Sequence, residues 1–176
     1  FVTETDTEVI MEAYRFWGVD CTKKFNGMWS FALYDTVKRV VFFSRDRFGV
    51  KPLYIYESED EFIFASEIKC ITAIRPEQKI VDETQMARYL AGYQEDMDEH
   101  TFYKNIQNFR PSYSMLYQLD TNTVEYQKYW EINVPEFQRK WIYDNPYQKF
   151  LELLQDSIRI RLRADVKVGA SLSGGL

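Results

Sequence analysis

Met28-Trp29-Ser30-Phe31-Ala32-Leu33-Tyr34 and Val40-Val41-Phe42-Phe43, separated by a turn at Thr36-Val37-Lys38, decide the architecture of this 176-residue chain. Both runs are rich in the aromatic and β-branched residues that favour extended backbone, so together they predict a β-hairpin. Apolar groups occupy successive positions rather than alternate ones. A sheet wet on one face would alternate apolar with polar residues, so both faces of this hairpin must be covered. The expectation is a layered α+β fold.

Upstream, Thr5-Asp6-Thr7-Glu8 has capping-box spacing, a hydroxyl followed by a glutamate three residues later. Val9, Ile10, Ala13, Tyr14 and Trp17 then recur on one face until Gly18, which predicts a short amphipathic helix. Downstream, Leu53 to Tyr56 and Glu61 to Ala65 read as strands about Glu57-Ser58-Glu59-Asp60, continuing the same meander, and Glu67 to Ile74 reads as a helix. A further helix is expected over Glu83 to Leu90. A second hairpin, Ser112 to Leu119 and Val124 to Trp130 about Asp120-Thr121-Asn122, closes the layer.

The pattern then changes. Val134-Pro135 through Asn145-Pro146 is proline-flanked and mixed in charge, which suits a linker, and Phe150, Leu151, Leu154, Ile158 and Leu162 mark a long amphipathic helix after it. Asp165 to Leu172, apolar and rich in small residues, predicts a buried strand that empties into Ser173-Gly174-Gly175-Leu176. Helix, strand and glycine turn in that order open an α/β sheet, whose ligands sit at the carboxyl ends of its strands. Residues 1–132 are therefore expected to form one domain, 133–145 a linker, and 146–176 the start of a second domain.

Composition excludes several classes. With 22 basic and 27 acidic residues the formal charge is −5, and no basic block is long enough to track a nucleic-acid backbone. No apolar run approaches the ~20 residues needed to cross a bilayer, and no signal peptide is visible. Cys21 and Cys70 lack CxxC spacing and cannot build a zinc quartet with the single histidine, His100. Reduced thiols in a cytoplasmic protein are expected. The chain begins at Phe1 with a helix start close behind it and stops within a glycine motif, so sequence is expected beyond both ends.

Phe25-Asn26-Gly27-Met28-Trp29-Ser30-Phe31-Ala32-Leu33-Tyr34-Asp35, Thr5 to Ile10, and Ser44-Arg45-Asp46-Arg47-Phe48-Gly49-Val50-Lys51-Pro52-Leu53-Tyr54 stand together here. With Phe64-Ala65-Ser66-Glu67-Ile68-Lys69, they resemble the later half of a class II glutamine amidotransferase domain. The resemblance implies an N-terminal-nucleophile hydrolase fold of αββα layers. The Arg45 to Leu53 string is also similar to glutamine phosphoribosylpyrophosphate amidotransferases, but the tail separates the two. A class II glutaminase followed by Ser171-Leu172-Ser173-Gly174-Gly175-Leu176 resembles glutamine-hydrolysing asparagine synthetases, whose second domain is an ATP pyrophosphatase.

That resemblance implies glutamine, aspartate and ATP as substrates, with magnesium, and leaves a homodimer open. It implies that a cysteine at a mature N-terminus, outside this chain, attacks the glutamine amide, and that ATP adenylates the acceptor carboxylate before ammonia displaces AMP. Asp6 matches the aspartate that holds the substrate α-ammonium by a charge-assisted hydrogen bond; without the resemblance it reads as a helix-start carboxylate favoured by the dipole. Leu172, Ser173, Gly174 and Gly175 match the start of the ATP-binding loop, the serine offering a hydroxyl and the glycines their amides. Read without the family, they are a glycine turn after a strand.

The charged loop Arg45-Asp46-Arg47 with Lys51 reads as a tight inter-strand connection marked by Gly49 and Pro52. Cys21 and Cys70 read as packing residues, having no histidine nearby to activate them. Relatives of the resembled family usually carry a Pro-Gly pair where this chain has Pro111-Ser112. Two alternatives stay open: an amidotransferase with another carboxylate acceptor, as in β-lactam synthetases or enzymes amidating sugar acids, and a non-catalytic binding or regulatory member of the fold.

Overall fold

The computed structural model describes residues 1–3, 5–92, 98–134 and 145–171. The chain divides into two compact units, Phe1–Glu131 and Ile132–Leu176. Their content is α+β, with antiparallel sheets and four helices among the described residues.

Helix α1 (Asp6–Trp17) starts at Thr5, whose hydroxyl accepts the Glu8 N–H, and stops at Gly18, which takes φ +59°. A 3-10 segment, Gly18–Lys24, leads into the hairpin of β1 (Ser30–Asp35) and β2 (Val40–Arg45). Asp35 holds its turn by accepting the N–H groups of Val37 and Lys38. The strands pair from Ser30 opposite Arg45 to Asp35 opposite Val40.

The next two strands do not continue this meander. Strands β3 (Tyr54–Glu57) and β4 (Phe62–Ala65) leave the first sheet and build a second, completed by the short β5 (Ile106–Asn108) in the order β4-β3-β5. Helix α2 (Ile68–Ile74) follows β4, and α3 (Glu83–Leu90) is capped by the Asp82 carboxylate on the Thr84 and Gln85 N–H groups. The hairpin of β6 (Tyr113–Gln118) and β7 (Thr123–Lys128) then returns to the first sheet, giving β1-β2-β6-β7. Local hairpin signals are alike for one sheet or two. The choice is made by the loop after Arg45, which turns the chain out of the first ladder.

Strand β2 is covered on both sides because its period-2 pleat sends neighbouring phenylalanines to opposite faces. Phe43 joins Leu53, Ile55, Phe109 and Met115 between the two sheets, with Phe62 of β4 5.6 Å away, centroid to centroid. Phe42 points the other way, into a cluster with Ala13, Tyr14 and Cys21 under α1. On the far face of the second sheet, Tyr56 and Ile106 pack with Ile71 of α2. The first unit is thus α+β, two antiparallel sheets with helices packed against them.

In the second unit, α4 (Pro146–Arg161) begins at Asn145, whose side chain accepts the Gln148 N–H, with proline in the first turn. Of the strand expected over Asp165 to Leu172, the described part does not form: residues 163–171 are irregular and exposed. A strand is held by its ladder, and no pairing partner for this segment exists among the described residues. Part of the expected linker, residues 135–144, lies outside the described residues, as do Leu172, Ser173, Gly174 and Gly175. Among the described residues no helix is long and apolar enough to cross a membrane.

Phe42 is 0% exposed. Its truncation to alanine is expected to cost about 3–5 kcal/mol, the range for emptying a large aromatic site in a packed core; a denaturant unfolding midpoint unchanged from the parent chain would contradict this packing.

Candidate functional site

The charged loop between β2 and β3 is built inward. Asp46 is 1% exposed, and its carboxylate accepts four backbone N–H groups: Phe48 and Val50 on Oδ1 at 3.1 and 3.0 Å, Trp29 and Lys51 on Oδ2 at 3.3 and 3.0 Å. The buried Arg45 guanidinium donates to the carbonyls of Gly49, Lys51 and Phe109 and to the side-chain oxygen of Asn108. Arg47 donates to the Phe25 carbonyl at 2.6 Å and lies over the rings of Trp29 and Trp130. A buried charge is tolerated when its hydrogen-bonding capacity is filled, and backbone groups fill it here. Arg45 and Asp46 therefore shape a connection and offer nothing to a phosphate.

Two neighbours complete this joint. Gly49 has φ +64°, and a Cβ there would come within 2.8 Å of the Pro111 ring. Ser112, at the position where relatives of the resembled family usually carry glycine, keeps a left-handed φ of +66°. Its hydroxyl donates to the Arg47 carbonyl at 2.8 Å, which offsets part of the strain of a side chain in that region. The departure from Pro-Gly thus changes the residue and keeps the turn.

Asp6 lies in the first turn of α1, exposed, and its carboxylate has no partner among the described residues. Its described neighbours Val2, Thr3, Thr5 and Glu8 are joined by hydrogen bonds. Glu8 does not close a capping box on the Thr5 N–H; its carboxylate reaches further back, accepting the N–H groups of Val2 and Thr3 and the Thr3 hydroxyl, each at 2.6 Å. These bonds hold the Glu8 carboxyl below the usual carboxylate range, the Thr3 hydroxyl contributing most. Capping-box spacing marked Glu8 as structural, but spacing alone does not say which amide it reaches.

Neither cysteine is placed for catalysis. Cys21 is fully buried under α1, and burial pushes its thiol up to about 11; Cys70 is exposed on α2. His100 sits at the surface, 3.1 Å from Asp98, in a group of ion pairs that includes Arg88–Asp98 and Arg110–Glu99. Among the described residues no group of three or more His, Cys, Asp or Glu is arranged to hold a metal ion. Asp6 is the one expected site residue that the structure describes, so whether it converges with Leu172 to Gly175 lies outside the described residues.

The α+β fold, with antiparallel sheets and four helices among the described residues, is compatible with a glutamine amidotransferase domain. The chain belongs to the glutamine amidotransferase domain family, whose model matches residues 1–130; residues 149–176 match the asparagine synthase family. It is 41% identical, over 99% of its length, to a Methanocaldococcus jannaschii protein named "Putative asparagine synthetase [glutamine-hydrolyzing] 2", covering 34% of that protein. It is 36% identical, over its whole length, to asparagine synthetase [glutamine-hydrolyzing] 2 of Bacillus subtilis, covering 25% of it. Similarity extends at 28% identity to amidase chry2 of Gibberella zeae, of which the chain covers 26%. The chain thus spans about a third or less of the curated relatives it matches.

Two measurements check the electrostatics of this unit. Asp46→Asn leaves one oxygen for four amides and turns an NH2 toward two of them, so a loss of roughly 3 kcal/mol is expected in chemical unfolding, from buried donors left unpaired. A thiol reagent at pH 8 is expected to label Cys70 and to reach Cys21 only after unfolding. Because the folded Cys21 pKa is raised from 9.0 to about 11, its contribution to stability is intact below pH 9 and is lost as pH rises toward 11. Rapid native labelling of both thiols would contradict the burial.

Proposed function

We propose that this chain belongs to an ATP-dependent ligase that takes ammonia from glutamine and amidates the side-chain carboxylate of aspartate, releasing AMP and pyrophosphate. The observation that carries the reading is order: an amidotransferase match over residues 1–130 is followed, in one chain, by an asparagine synthase match over 149–176. A carboxylate has no leaving group and repels a nucleophile, so it must be activated before ammonia can attack. Joining an ammonia source to an ATP site answers that need.

In this reading the first unit is an N-terminal-nucleophile hydrolase domain, residues 133–145 are a linker, and 146–176 open the ATP pyrophosphatase domain. Asp6 binds the substrate α-ammonium. An exposed carboxylate with no partner among the described residues suits a cation, and a charge-assisted bond to it is worth roughly 1.5–3 kcal/mol. Ser173, Gly174 and Gly175, with Leu172 before them, receive the ATP phosphates through the serine hydroxyl and bare amides. Magnesium would accompany the nucleotide; the described residues provide no ligand set for it, so no step is assigned to it.

A second reading keeps the chemistry and changes the acceptor. Similarity across the whole chain to a protein named as an amidase, chry2, supports it, since the family spans differently named activities. The acceptor is tested in the full-length protein: glutamine-dependent AMP and pyrophosphate formation is expected to require aspartate, and turnover with a different carboxylate instead would replace it. Asp6→Asn is expected to lower kcat/KM for glutamine by roughly 10–100-fold, the equivalent of one charge-assisted bond. Synthesis driven by free ammonia, which bypasses the glutamine site, should be retained. Unaltered glutamine kinetics would remove Asp6 from the site.

A further inference from the structure

We infer that Glu8 is a positioning residue for the glutamine site, acting on substrate through Asp6 by locking the chain on both sides of it. This rests on the reading of Asp6 as the partner of the substrate α-ammonium.

An ordinary capping-box glutamate returns to the N-cap amide and stabilises its own helix. Glu8 passes over the Thr5 amide and binds residues two and three positions further upstream, Val2 through Oε1 and Thr3 through Oε2. The Thr3 hydroxyl bonds both to Glu8 Oε2 at 2.6 Å and to the Thr5 hydroxyl at 2.9 Å, and the Thr5 hydroxyl in turn accepts the Glu8 N–H at 3.4 Å. The result is a closed ring through Thr3, Thr5 and Glu8. Asp6 stands between Thr5 and Glu8 and takes no part in the ring, so bonded neighbours bracket it while its carboxylate has no partner among the described residues. Helix stability alone would need only the Thr5 cap; the added bonds tether Val2 and Thr3 to the first turn that carries Asp6. A binding carboxylate held in place loses less freedom when substrate docks.

The test is a double-mutant cycle in the full-length protein, read on glutamine and on 5-amino-5-oxopentanoate, which is glutamine without its α-amino group. Glu8→Gln preserves size but weakens acceptance, and KM for glutamine is expected to rise about 3–10-fold with kcat changed less than twofold. Thr3→Val, which removes only the hydroxyl, should move KM in the same direction by a smaller factor. Neither substitution should alter hydrolysis of the des-amino substrate. The D6N/E8Q pair should lose no more than D6N alone, because Glu8 has nothing left to position.

If D6N weakens glutamine use while E8Q and Thr3→Val leave it untouched, the inference fails and Asp6 keeps its role. Losses that multiply in the pair, or that extend equally to the des-amino substrate, also overturn it, since Glu8 would then act on general stability. If D6N itself has no effect, the reading of Asp6 fails first.

Discussion

The Asp46 carboxylate, closed by four backbone amides, is the constraint on which the first unit depends. It lies where β2 ends and gathers the N–H groups of Trp29, Phe48, Val50 and Lys51 into one turn. Its own backbone extends the joint, with the Asp46 N–H bonded to the Trp29 carbonyl and its carbonyl accepting from Gly49 and Ser112. Beside it, Arg45 ties the end of β2 to Asn108 and Phe109 at the end of β5, linking one sheet to the other. Tyr129, past the end of β7, closes the ring by donating to the Arg45 carbonyl at 2.6 Å. Two charges are thereby buried at acceptable cost, because oriented backbone dipoles replace water around each of them.

The layers follow from that joint. After Arg45 the chain makes a sharp departure from the first ladder, in which β2 is already flanked by β1 and β6. With it, β3 and β4 swing over the first sheet and bring Leu53, Ile55 and Phe62 onto Phe43 and Met115. Phe42 is then free to serve the opposite layer, stacked on Tyr14 at 5.4 Å. Tyr14 carries a second tie, donating its hydroxyl to Asp35 at the end of β1; burial, with that bond adding to it, pushes the phenol up to about 12. Helix, hairpin turn and sheet are fastened by polar groups at their rims and by apolar contact at their centres.

Much of this was legible in residue patterns, and what was not has a definite physical reason. The α1 start at Thr5 and stop at Gly18, the β1–β2 hairpin, α3 and the β6–β7 hairpin rest on local chemistry: caps, turns and periodicity. Assignment of β3 and β4 to a second sheet rests on long-range hydrogen bonds from Arg45, which no local window contains. β5 has three residues, too few for a period, and exists because Tyr54 to Tyr56 offer it an edge. The apolar segment after α4 carries the pattern of a strand, yet extended backbone is stable only as part of a ladder, and residues 163–171 have none among the described residues. At the candidate site, the residue types were visible, but the reach of Glu8 past its expected amide depends on the path of Val2 and Thr3, which spacing does not specify.

Asp6 and Asp46 show how one side-chain type serves opposite ends within a single unit. Both stand at the start of a turn, where N–H groups collect and a carboxylate is welcome. Asp46 is enclosed, and every acceptor position facing the loop is used; its work is finished when the chain has folded. Asp6 faces solvent, and the N–H that a capping group would take is already held by the Thr5 hydroxyl. Thr5 therefore relieves Asp6 of capping, and Glu8 relieves it of holding the incoming chain. A fold that assigns both structural tasks to neighbours leaves this carboxylate without a partner among the described residues, which suits the ammonium-binding role proposed for it.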